Sequence, residues 1–497
     1  MLLTSARLVP VGSPSAVRVE PVAVRISGTR VTHAAEALDP EPGEQVVDAD
    51  GRWLIPGLWD AHVHLGQWAR RGRRLDLSGC SALAEALGRV GAAVRGLPHD
   101  AGMVVGSGYR PATWAEQPSV PALDGVSGGV PVVLVSGDAH AGWLNSAALA
   151  QFGLAGRDDP VVEAEWFAVL PAILAAEDVL AGPQAYAAAM LEAVRRGVVG
   201  LVDYEFEPGF AAWPARYEAV AVPLRVRTSV YPADIETVLS AGLRSGDALV
   251  SEQGEPMVTM GSLKIISDGS LNTRTARCVE PYPDGGHGVQ NVPGDELRRL
   301  LDTARRHGLT VALHAIGDAA AAEAIDAFAE TGATGTVEHA QLLAPGTAER
   351  MGELGLVASV QPAHLLDDRL VTEQLWGHER ASRSFPFRTL RTAGVRLALG
   401  SDAPVAPLDP WLAMAAAVFR GRPGTAPWFP EQALTSAEAL AASTGGLRQV
   451  GVGSPADLAL LDADPLAGAD PAQAAHALRT MSVAATWVAG RRLHSTL

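Results

Sequence analysis

At 497 residues, with 48% hydrophobic and 19% charged residues, the chain has the balance of an ordinary globular protein and is too long for one simple core. A formal net charge of −16 argues against nucleic acid or an anionic membrane as partner, because phosphate binding needs a basic face; a small-molecule substrate is expected instead. Two cysteines, Cys80 and Cys278, exclude a disulfide framework and a cysteine-based zinc knuckle, and no run reaches the ~20 apolar residues of a membrane helix. The opening "MLLTSARLVPVGSPS" lacks the pattern of a secretory signal, so a cytoplasmic protein is expected.

In chain order, residues 1–52 are strand-like ("AVRISGTRVTHAA") and broken by Gly and Asp turns. Residues 447–497 read the same way ("ADLALLDADP", "SVAATWVAGRRLH"), and the two ends are predicted to close into one small β-sandwich. The stretch "WLIPGLWDAHVHL" (53–65) is the first strand of the large domain, 53–446. Residues 66–183 are far longer than a normal strand-to-helix connection and read as an inserted subdomain, with strands at 102–109 and 130–137.

From about residue 184, apolar β-branched runs alternate with runs of helical period. Strands are predicted at 198–206, 224–232, 261–269, 310–317, 336–342, 356–364 and 395–404, and helices at 295–308, 318–332 and 387–394 among others. With the first, that makes eight strands, the pattern of a (β/α)8 TIM barrel whose chemistry sits at the C-terminal strand ends. The rival, a doubly wound open sheet, lacks a glycine-rich phosphate loop after its first strand. The alanine-rich "AMAAAVF" reads as core or as the interface of a homo-oligomer such as a dimer.

Polar residues recur at the ends of these strands: His62 and His64 on the first, Lys264 and Asp268 on the fourth, His314 on the fifth, His339 on the sixth, Asp402 on the eighth. In a strand, alternate residues share a face, so His62 and His64 point the same way. One such histidine would be an ordinary hydrogen-bonded core residue; five groups at corresponding strand ends call for a shared metal, since each left unpaired in an apolar setting costs several kcal/mol. Four imidazoles and a carboxylate suit a borderline divalent cation such as zinc, one ion or two. Lys264 is either a desolvated amine able to add carbon dioxide and bridge two metals as a carbamate, or the ion-pair partner of Asp268.

The segments "IPGLWDAHVHL", "SGDAHAGWLNSAAL", "LKIISDGSLNTRTA", "PYPDGGHG", "LHAIGDAA", "VEHAQL" and "LALGSDAPV" together resemble the amidohydrolase superfamily. Within it, the chain is similar to the amidohydrolase-3 group, which includes YtcJ-like metal-dependent hydrolases and N-substituted formamide deformylase. The resemblance implies that His62, His64, His314 and His339 ligate metal, that Lys264 is the carboxylated bridge, and that Asp402 is both a ligand and the catalytic acid/base. It implies hydrolysis of a non-peptide carbon–nitrogen bond, of amide or formamide type, by metal-activated water. The alternatives are a one-metal deaminase with unmodified Lys264 and a non-catalytic barrel scaffold.

Around that centre, Asp60 is read either as a partner of a ligand histidine or as a turn residue. His140, Trp143 and Asn145 of the insertion, with Asp268 and Arg274 around the fourth strand, are candidate substrate contacts; the rival reading makes Asn145 a helix cap and Trp143 core. His364 ends the seventh strand and is a further candidate, and His287 sits in a glycine-rich loop that could form a lid. His307 suits a helix C-terminus, and His33, His99, His378, His476 and His494 lie in polar or terminal stretches.

Overall fold

The computed structural model describes residues 1–11, 20–97, 102–220 and 222–497, so His99 lies outside it. Its centre is a barrel of eight parallel strands: β1 (Leu58–Val63), β2 (Val198–Asp203), β3 (Arg225–Val230), β4 (Glu255–Ile266), β5 (Val311–Ala315), β6 (Gly335–His339), β7 (Val357–Val360) and β8 (Arg396–Leu399). Strands buried on both faces carry continuous apolar runs, and all five residues of β5 are buried. The intervening helices bury one stripe each: Gly294–Arg306 turns Leu297, Leu300, Leu301 and Ala304 inward, at the three- and four-residue spacing of an amphipathic helix.

The barrel closes where β8 meets β1. The Asp402 N–H donates to the His62 carbonyl at 2.7 Å and the His64 N–H to the Ala403 carbonyl at 2.9 Å, and Val63 bridges Ala403 in parallel. Gly400 makes this approach possible: a Cβ there would lie 2.6 Å from the His62 nitrogen and 2.8 Å from its Cβ. Gly400→Ala is therefore expected to cost about 1–3 kcal/mol by overpacking, seen as a lower urea midpoint; an unchanged midpoint would contradict the closure described.

Two elements differ from the sequence-based prediction. Residues 53–65 are two strands, because after Pro56 the chain turns at Gly57: Trp53–Pro56 pairs with Leu458–Leu461 in the terminal sheet, and only Leu58–Val63 joins the barrel. The strand β4 begins at Glu255, earlier than the predicted 261, and its first half forms a hairpin with Ala248–Glu252. The connecting Gln253 and Gly254 both have positive φ (52° and 82°), as a two-residue hairpin loop requires.

Both termini contribute to one eight-stranded sheet that folds over its own core of Leu3, Val24, Ile26, Leu54, Leu458, Leu460 and Trp487. The insertion carries a five-stranded sheet, in which Val104–Tyr109 and Val132–Ser136 are the predicted pair. A helical stretch, Glu163–Arg195, kinked at Gly182 (φ 60°), returns the chain to β2. The alanine-rich run lies in the helix Pro410–Phe419 with Ala413, Ala415, Ala416 and Ala417 buried, and so is core of this chain. Among the described residues no helix is long and apolar enough to cross a membrane.

Candidate metal centre and active site

At the C-terminal mouth of the barrel, side chains from five strand ends converge. The Nε2 atoms of His62 and His64 each lie 3.5 Å from Oδ1 of Asp402, while Nε2 of His364 lies 3.8 Å from its Oδ2. His339 packs between its neighbours, with ring centroids 5.1 Å from His62 and 4.6 Å from His314. Two sets of potential ligand atoms, each within 4.8 Å of one another, result: His62, His64 and Asp402, and His339, His364 and Asp402. Asp402 belongs to both.

The donor chemistry fits a divalent cation. The Glu338 carboxylate, fully buried, accepts the Nδ1–H of His62 at 2.6 Å and so turns its Nε2 lone pair toward Asp402. His314 gives its Nε2–H to the Gly269 carbonyl at 3.2 Å, leaving Nδ1 as its free donor nitrogen. Burial holds His62 and His339 well below the ordinary imidazole range and His64 and His364 at about 3, so all four are in the neutral, metal-binding form. Among the described residues, Nδ1 of His339, Nε2 of His364 and Nζ of Lys264 are buried without a hydrogen-bond partner, a cost that an ion would offset for the two imidazoles.

Backbone conformation helps assemble the cluster. His339 (φ 70°), Ala340 (φ 43°) and Asp402 (φ 56°) lie in the left-handed region, which non-glycine residues occupy at a cost of about 1–3 kcal/mol and mostly at functional sites. The turn at His339 lets two successive residues, Glu338 and His339, both reach the cluster; a regular strand would send them to opposite faces. Asp60, buried, accepts the N–H of His62 at 3.1 Å and of Ser401 at 2.9 Å, tying β1 to the loop that carries Asp402.

Lys264 does not pair with Asp268. Asp268 is taken up by the backbone N–H groups of Ile316, Gly317 and Arg277 and by His314. The Lys264 amine lies 4.6 Å from the Tyr204 ring centroid; burial lowers its pKa, opposed by the charges of Glu338 and Asp402. Asp402 in turn is pushed up to about 7 by burial, against the pull of Lys264 and His140.

Residues 45–494 match the amidohydrolase family. The chain belongs to that family. It is 31% identical over 443 residues to protein LONG AFTER FAR-RED 3 of Arabidopsis thaliana, covering 81% of this chain and 75% of the relative. It is 26% identical over 494 residues to N-substituted formamide deformylase of Arthrobacter pascens, covering 89% and 90%. The crystal structure of an uncharacterized metal-dependent hydrolase from Pyrococcus horikoshii OT3 superposes with a TM-score of 0.75 at 25% identity, over 96% of this chain and 99% of that one.

Within this amidohydrolase the substrate-contact candidates separate. His140 reaches the cluster, its ring 5.2 Å from His314. Trp143 does not: it is fully buried in the insertion with Tyr109 and gives its N–H to the Ser119 carbonyl. Asn145 caps the helix Ser146–Gln151 through Ala148 and satisfies Val132, Ser127 and Val130, so its whole amide is spent on the insertion's own fold. Arg274 pairs with Asp284 at the surface, and Asp268 is saturated as described. His287 is exposed, with Nδ1 against the Cys278 carbonyl.

Glu338 and Tyr204 are members of the centre that the strand pattern did not reveal; the only sequence signal was an acidic residue directly before His339. The Tyr204 ring meets His62 edge-on at 4.5 Å and its hydroxyl donates to Glu338 at 3.3 Å. Glu338→Gln is expected to weaken metal affinity about 10- to 100-fold, read by competition with a chromogenic chelator; unchanged affinity would remove Glu338 from this role. A cavity of about 680 Å³ lies between the insertion and the loops after β7 and β8, lined by Trp68, Arg110, Val135, Leu366 and Val405 among others; the cluster's own side chains do not line it, but Ala139, Ala363 and Pro404, near His140, His364 and Asp402 in the chain, do.

Proposed function

We propose that this amidohydrolase cleaves a non-peptide carbon–nitrogen bond, of amide or formamide type, in a small molecule bound in that cavity. The observation that carries the reading is the Asp402 carboxylate shared by two buried imidazole sets at the barrel mouth. One or two zinc ions held by His62, His64, His314, His339, His364 and Asp402 would supply Lewis-acid polarisation of the carbonyl and make water acidic enough to attack near neutral pH.

The chain's own residues do the rest. Asp402 takes the proton of the attacking water and returns it to the departing nitrogen, from a carboxylate placed between the two imidazole sets. Glu338 holds His62 in one tautomer, and His140 orients the substrate from the insertion side. The Lys264 amine, without a hydrogen-bond partner among the described residues, supports a carbamate that would supply an anionic oxygen ligand to a two-ion centre; its packing on Tyr204 instead supports an unmodified lysine beside a single ion, the arrangement of a deaminase. Metal count together with 13C NMR after exposure to labelled bicarbonate separates these two.

The similarity to N-substituted formamide deformylase supports formamides as the first substrates to try. The test is a screen of zinc-loaded protein against N-substituted formamides, acylated amines, lactams and aminopurine-like heterocycles. Turnover of an amide supports the reading, release of ammonia from the heterocycles moves it to deamination, and activity confined to esters overturns it.

A further inference from the structure

We propose that Glu163 is a positioning residue that fixes His140 as the arm by which the insertion grips the substrate's scissile amide group. This rests on the carbon–nitrogen hydrolase reading above and adds to it the source of substrate alignment.

Glu163 opens the long insertion helix, and its backbone N–H donates to the His140 carbonyl at 3.1 Å. Its carboxylate stands against Nδ1 of His140, at 3.1 Å and 3.3 Å from the two oxygens. The same two oxygens accept the Thr275 hydroxyl at 2.5 Å and the Asn291 amide at 3.1 Å, so the group is clamped by the loop beyond β4. Gly269 leaves the space for it: a Cβ there would lie 2.3 Å from Oε1 of Glu163 and 2.1 Å from the Thr275 hydroxyl. The His140 N–H donates to Asp138 at 3.3 Å, and Asp138 is itself held by Ser136 and Ser270.

This is more apparatus than packing requires. A buried ion pair is seldom more stabilising than a well-packed apolar pair, yet here it is held on strained backbone, with Ala139 at φ 62° and Glu163 at φ 50°. The geometry gives the ring one use. A carboxylate only accepts, so the hydrogen facing Glu163 is on Nδ1, and Nε2 is the nitrogen left for another partner. Among the described residues Nε2 has none. The ring stands beside His314 and edge-on to Phe167 at 5.2 Å each, within electrostatic reach of Asp402. An amide lying against the cluster therefore meets Nε2 as its hydrogen-bonding neighbour.

The test uses zinc-loaded protein and N-benzylformamide. Glu163→Gln is expected to raise KM about tenfold, the worth of one well-aligned hydrogen bond, with kcat changed less and zinc content unchanged. Glu163→Asp, which keeps the carboxylate, is expected to recover part of the loss. In the wild type, the 15N resonance of His140 Nε2 moves on adding N-benzylformamide, and in Glu163→Gln it does not. Unchanged KM in Glu163→Gln, or loss of zinc accounting for the whole effect, overturns the proposal. A wild type that cleaves no amide sinks the hydrolysis reading alone; the pair is then judged by the His140 resonance with the uncleaved formamide, and a silent resonance overturns it.

Discussion

Asp402→Asn lowers kcat by about 10²- to 10⁴-fold, the range that a positioned acid/base contributes. Asparagine keeps the size of the side chain and tolerates the left-handed backbone at this position, φ 56°, better than alanine does. The barrel closure is made by the main chain of residue 402, whose N–H donates to His62, and so survives the change. What is lost is the proton carrier and one anionic oxygen in each imidazole set. The measurement is kcat on the best amide from the screen at saturating zinc, with the urea midpoint as a check on folding. Activity within a few-fold of wild type would remove Asp402 from the chemistry.

Stripping divalent ions with a chelator abolishes turnover, zinc restores it, and the stripped protein melts at lower temperature. The sign follows from the buried ring nitrogens of His339 and His364, which have no hydrogen-bond partner among the described residues and lose the one an ion provides. An ion present at 100 times its dissociation constant stabilises the folded state by about 2.7 kcal/mol. Spread over a chain of 497 residues, that is a shift of a few degrees at most. Calorimetry of loaded and stripped protein reads it; equal midpoints with full activity in the stripped sample would refute the metal centre.

Short-range periodicity made the barrel legible. The alternation of apolar runs and helical stripes after residue 184 is a local property, set by which faces each element buries, and it located seven of the eight strands, though the predicted C-terminal ends of the seventh and eighth run four and five residues past Val360 and Leu399 into the loops that carry His364 and Asp402. His62 and His64 were readable for the same reason: period two in a strand puts both on one wall. The hairpin before β4 escaped because its loop, Gln253 and Gly254, departs from the common Asn-Gly signal.

By itself, then, the sequence determined the order of the elements, the faces they bury and the residue types available at each strand end. Only the tertiary structure decided which of those residues meet. Glu338 finds His62 across 276 positions, and it shares the cluster with His339 because a positive φ breaks the strand's alternation there. Trp143 and Asn145 lie in a motif that points to the site, yet the insertion consumes them: the indole N–H of Trp143 goes to the Ser119 carbonyl and the Asn145 amide to Ser127 and Val130, which leaves neither free to serve a substrate. Hydrogen bonds between residues far apart in the chain obey geometry that no local pattern records.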